Sequence, residues 1–188
     1  MAKVKLSPAL TAIHGKLGEM VFKRFNHQEI VARPPDRTGI VPTENQLAQQ
    51  DRFRLAALYG KAVLADPVSK AIYEDAAARK GVPAFALTVG DFLNAPIVDE
   101  IDLSGYTGKI GDKIGVRASD DVEVHGVSVT IREQGGAVIE EGDAVFSQAT
   151  ATWTYTATTA LAQGQAVSID VSATDRPGHK GMKSQQRA

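Results

Sequence analysis

The chain has no cysteine among its 188 residues. Disulfides, thiolate nucleophiles and cysteine-based zinc sites are therefore excluded. Aromatic residues are scarce, at 6% with one Trp, so a core has to be filled mainly by aliphatic side chains. No apolar run approaches the roughly 20 residues that a membrane-spanning helix requires. Lys3 and Lys5 precede a short apolar stretch, residues 6–13, interrupted by Pro8. This is not the pattern of a cleavable signal peptide. The expectation is a protein made in the cytoplasm without such a signal and carried into a virion or extracellular assembly. Motifs for a serine nucleophile, G-x-S-x-G or S-x-x-K, are missing. The four histidines, at 14, 27, 125 and 179, are scattered and form no H-x-x-x-H pair. Gly105, Gly108 and Gly111 lie between expected strands with no helix to receive a pyrophosphate, so they read as turn glycines.

The hydrophobic fraction, 43%, is that of an ordinary folded protein. A net charge of −1 hides a division. Residues 1–96 hold 13 Lys and Arg against 9 Asp and Glu, a surplus of +4, whereas residues 97–188 hold 8 against 13, or −5. A basic front and an acidic back point to two units, and such a dipole lets copies attract head to tail.

Along the chain, residues 1–18 read as an extended arm. Residues 19–33 read as a β-hairpin turning at Asn26-His27, a register that sets Arg24 against Glu29 and Phe22 against Val31. Pro34 and Pro35 break the pattern. Thr43-Glu44-Asn45-Gln46 has the form of a capping box, opening a helix to about Leu64 with Phe53, Ala56, Ala57, Gly60, Val63 and Leu64 on one face. Asp66-Pro67 caps a second helix ending near Gly81. A third, from Pro83 to about Leu93, is expected to bury Phe85, Val89 and Phe92. Asn94-Ala95-Pro96 marks the boundary after which short alternating segments recur: Ile114–Ala118, Val127–Ile131, Trp153–Thr156 and Val167–Val171, with Gln134-Gly135-Gly136 as a hairpin turn. The polar stretch 177–188 reads as a flexible tail.

Two resemblances accompany this pattern. Gly15-Lys16-Leu17-Gly18-Glu19-Met20-Val21-Phe22, followed by Arg33-Pro34 and by Thr43-Glu44-Asn45-Gln46-Leu47-Ala48-Gln49, resembles an uncharacterised bacterial and phage-associated family whose members open with a GKxGxxVF hairpin and a TExQLAQ helix. His27 departs from the Gly usual after the turn Asn in that family. Ala118-Ser119-Asp120-Asp121-Val122 and Ala173-Thr174-Asp175-Arg176-Pro177-Gly178 are similar to strand ends of bacterial Ig-like modules, which implies an Ig-like sandwich and a display role.

The expected fold is α+β in two domains: a hairpin-and-helical domain over 19–95 and an Ig-like antiparallel β-sandwich over 96–176. The expected function is non-enzymatic and structural: a virion, capsid-decoration, tail or filament component with no cofactor, whose partners are copies of itself or other structural proteins. The hairpin residues Val21, Phe22, Phe25, Ile30 and Val31 form the expected assembly interface, because a lone hairpin is marginal in water and an exposed strand edge can pair with another chain. A second reading sets Lys23, Arg24, Arg33, Arg37, Arg52 and Arg54, along with Lys16, against nucleic-acid phosphates. A third sets Asp120, Asp121 and Asp175 around Ca²⁺, with turn capping by the same aspartates as the alternative.

Overall fold

The computed structural model describes residues 2–3, 14–25, 28–34, 36, 39 and 41–187. The turn residues Asn26 and His27 lie outside them, as does most of the expected arm. The chain forms two compact units, residues 1–44 and 45–188.

The first unit is one antiparallel sheet of β1 (Ala2–Lys3), β2 (Gly15–Leu17), β3 (Met20–Phe25) and β4 (Gln28–Ala32), in the order β1-β4-β3-β2. The hairpin register is the expected one, with Phe22 opposite Val31 and Arg24 opposite Glu29. Part of the expected arm is strand: Gly15 pairs with Phe22, and Leu17 with Met20.

The second unit opens with α1 (Glu44–Ala65), α2 (Pro67–Lys80) and α3 (Ala84–Leu93). Asp66 caps α2, accepting from the Ser69 amide at 2.8 Å ahead of Pro67, and Gly81 closes it in the left-handed region at φ 68°; only glycine adopts this without strain. Eight strands follow: β5 (Ile97–Asp102), β6 (Lys113–Ser119), β7 (Val124–Glu133), β8 (Val138–Asp143), β9 (Val145–Ser147), β10 (Thr152–Thr156), β11 (Val167–Asp175) and β12 (Lys180–Arg187). They make two antiparallel four-stranded sheets, β5-β6-β10-β9 and β12-β11-β7-β8. Their inner faces bury one cluster, built by strict alternation: Val167, Ile169, Val171 and Ala173 of β11 lie beside Val127, Val129 and Ile131 of β7, with Ile114, Val116 and Tyr155 from the other sheet. Trp153 is half-buried against this cluster and packs on Phe146, ring centres 5.1 Å apart. The fold is thus α+β with a sandwich-like pair of sheets.

Three expectations are corrected. The helices group with the sandwich rather than with the hairpin. Their own core is small (Tyr73, Ala76, Ala77 and Leu87) and is completed by Val122 from the β6–β7 connection. Secondly, residues 180–187 are no tail: β12 pairs with β11 from Thr174–Lys180 to Val167–Arg187. Its side chains are mostly exposed, so backbone hydrogen bonds hold it and no apolar alternation announces it. Thirdly, Phe53 and Phe85 are exposed and Phe92 half-buried, whereas Thr88 and Asp91 of α3 are fully buried. Gly60 of α1 lies so close to Thr88 and Phe85 that a Cβ would collide with them. A close helix crossing replaces aromatic burial.

Candidate functional site

Two places carry features that folding alone does not use up: the N-terminal sheet, and the seam between the helices and the sandwich.

The strand alternation of the N-terminal sheet sorts its residues by face. Lys16, Val21, Lys23, Ile30 and Ala32 share one face; Leu17, Met20, Phe22 and Val31, with the Arg24–Glu29 pair, share the other. The sheet buries little. Among its described residues Ile30 is the one buried hydrophobic, at 8% exposure. Val21, Phe22 and Val31 are half-buried, and Leu17 is 67% exposed. Phe25 pairs through its backbone with Gln28, but its side chain lies outside the described residues, as does Arg37.

Several of the basic residues already have partners. Arg24 lies 3.9 Å from Glu29, Arg54 is held by Asp51 at 2.8 Å, and Arg52 donates to the Leu93 carbonyl at 3.2 Å. Lys16, Lys23 and Arg33 are exposed in the first unit, whereas Arg52 and Arg54 belong to the second.

At the seam, the end of α3 meets the ends of β6 and β11. Tyr73 donates its hydroxyl to Asp91 Oδ2 at 2.5 Å, and the Tyr59 and Tyr73 hydroxyls are 2.9 Å apart. Asp91 is fully buried and its Oδ1 is left unpaired. Burial pushes the Asp91 carboxyl up to about 7; the bond from Tyr73 opposes this, and the adjacent charge of Asp120 adds to it. Burial, then the bonds to Asp91 and Tyr59, push the Tyr73 hydroxyl far above its ordinary range. Asp91 therefore holds a proton at pH values where an exposed carboxyl has lost it, which lets it sit beside Asp120 without full repulsion.

Two of the three aspartates proposed for calcium do come near this group, but not as a cation cage. Asp175 Oδ1 accepts the Gly178 and His179 amides at 2.7 and 2.6 Å, so it caps the β11–β12 turn. Asp120 Oδ2 accepts the Val122 amide at 3.3 Å. Asp121 turns to Asn94 (2.7 Å) and Lys80 (2.9 Å), and these two partners hold its carboxyl below the usual range. Among the described residues no group of three or more His, Asp or Glu converges as a metal ion needs. In this structure the three aspartates serve as turn caps and as a helix-to-sandwich clasp. Tyr73 and Asp91, central to the seam, were invisible as site residues in the sequence.

The surface clefts are shallow. One of about 350 Å³ lies on the outer face of β6, where Gly115 leaves room between Lys113, Arg117, Glu100 and Asp102. Another, of about 530 Å³, runs beside the seam past Leu93, Ile97 and Asp120. No helix among the described residues is long and apolar enough to cross a membrane.

No family model and no curated protein matches the sequence. Among solved structures, similarity is found to the crystal structure of CopC from Methylosinus trichosporium OB3b, with 18% identity over 48% of this chain and 89% of that one and a TM-score of 0.36. An engineered protein is similar at 23% identity over 48% of this chain and 19% of its own, also with a TM-score of 0.36. Likeness of this degree does not establish a shared fold or activity.

Proposed function

We propose that this protein is a non-enzymatic structural component of a bacterial or phage assembly, which docks through its N-terminal sheet and displays an Ig-like sandwich. The carrying observation is the imbalance between the two units. The second has a filled core of its own. The first has four strands and, among the described residues, one buried hydrophobic side chain, Ile30. Ordering the backbone costs about 1–2 kcal/mol per residue, and so little burial does not offset it. The sheet gains its stability by covering Leu17, Met20 and Phe22 against another chain. The GKxGxxVF stretch, Gly15–Phe22, falls on β2, its turn and β3, which makes this resemblance part of the docking element.

Light scattering of the full chain and of a truncation lacking residues 1–41 tests the reading. The full chain is expected to form assemblies and the truncation to stay monomeric. A truncation that assembles unchanged removes the role given to the sheet. Filter binding at low salt addresses the competing reading, in which Lys16, Lys23 and Arg33 contact phosphates: retention of DNA by a monomeric protein would favour it.

A further inference from the structure

The two long sides of the sandwich are finished differently. On one side β12 meets the start of β5: Gly181 lies against the Pro96 carbonyl, where any Cβ would collide, and Lys183 donates to the Asp99 carbonyl. On the other side nothing among the described residues covers the edges. There β8 ends one sheet and β9 the other, joined by the single residue Ala144. Val138, Val145 and Phe146 are 50%, 74% and 47% exposed. Glu141 and Asp143 stand on the outer face opposite the neutral Thr130 and Ser128, and the arginine of that neighbouring strand, Arg132, is held by Asp170 at 3.0 Å. The edge is also anchored. Glu140 Oε2 accepts Thr158 N, Thr158 Oγ1 and Thr159 N at 2.8, 2.6 and 2.9 Å, pinning β8 to the loop after β10. An uncovered edge strand presents unpaired backbone groups to which another chain can add. The two carboxylates bar a second β8, since acids would face acids, but not a basic strand.

The chain carries such a strand. β2, an outer strand of the N-terminal sheet, is exposed throughout. Lys16 and, one strand further in, Lys23 lie on the same face, with Val21 and Ile30 as their neutral cross-strand neighbours. The first unit is net basic, with 7 Lys and Arg against 4 Asp and Glu; the second is net acidic, with 14 against 18.

Resting on the assembly reading above, we infer that its contact is β-addition between copies: β2 of one copy pairs with the outer edge of β8 in the next. Lys16 and Lys23 extend the face bearing Glu141 and Asp143. The opposite face turns Leu17 and Met20 toward the side on which Phe146 lies. The regular part of β8, Glu140–Asp143, follows an irregularity at Val138, and its four residues are enough to pair the three of β2. Because the two surfaces differ, the contact is heterologous and propagates head to tail, closing into rings or continuing as fibres.

Charge exchange in the full-length protein tests this by sedimentation velocity, with circular dichroism confirming that every variant folds. Lys16→Glu/Lys23→Glu and Glu141→Lys/Asp143→Lys are each expected to weaken association at least about tenfold. Each alone sets like charges against like. An equimolar mixture of the two restores complementarity at every contact and is expected to recover assemblies of wild-type size. If either double variant assembles as tightly as wild type, or the mixture fails to recover, the β2–β8 contact is wrong while a docking role for the sheet survives. If the wild-type chain is monomeric at all concentrations and salt levels, both proposals fall.

Discussion

The hydroxyl of Tyr73 on α2 donates to the carboxyl of Asp91 on α3 at 2.5 Å, in a place closed to solvent. This one contact joins two helices and points the carboxyl at Asp120, in the connection that follows β6. Asp175, at the end of β11, adds a further like charge, and beyond it Arg176 pairs with Glu123 at 2.5 Å.

The folded pKa of Asp91, about 7, lies above the value of roughly 3.9 for an unfolded Asp. The folded state thus binds the proton more tightly, and stability from this group falls as pH rises from about 4 to about 7, then levels off. Asp66, Asp102, Asp112, Asp121 and Asp170 are shifted the other way, so they lose stability only as pH falls below the unfolded value. The Tm of wild type minus that of Asp91→Asn, measured from pH 4 to 8, is expected to decline up to about pH 7 and then to level off. A difference independent of pH would mean that Asp91 is ionised throughout.

Gly181 faces the Pro96 carbonyl with no room for a methyl group. Since the obstacle is backbone, Gly181→Ala has to part β12 from β5, at a cost of about 1–3 kcal/mol. Gly126 of β7 has nothing within 4 Å of a built Cβ, and Gly126→Ala is expected to leave stability unchanged or slightly raised. Urea unfolding of the two variants gives the comparison.

Glu140→Ala removes the acceptor of three hydrogen bonds from Thr158 and Thr159. Leaving amides unpaired costs about 1–3 kcal/mol each when they stay buried, so chemical denaturation should show a loss in that range. Amide exchange should also quicken at Thr158 and Thr159, whereas a uniform speeding across the sandwich would point to global destabilisation only.

In dilute solution the amides of β2 and β3 are expected to exchange far faster than those of β7 and β11, because little buried surface protects them. Concentration into assemblies should slow them. Equal protection of both units in the dilute protein would show that the N-terminal sheet is stable without a partner.

Calcium at millimolar concentration is expected to leave the Tm unchanged, as Asp121 is occupied by Lys80 and Asn94 and Asp175 by its own turn. A rise in Tm with added calcium would reopen the cation reading for these residues.

The hairpin register, the Asp66-Pro67 helix start and the alternation of β6, β7, β10 and β11 were legible in the sequence. Each rests on interactions or periodicities spanning a few residues, and those are written locally. Tertiary structure alone decided that β12 is a strand, since its partner β11 supplies backbone bonds that side-chain pattern does not encode. It also decided that Asp91, Asp120 and Asp175 share one seam, and that among the described residues β12 meets β5 while no strand pairs with the outer edges of β8 and β9. Burial and edge exposure depend on which distant segments arrive, and no short stretch of this chain carries that information.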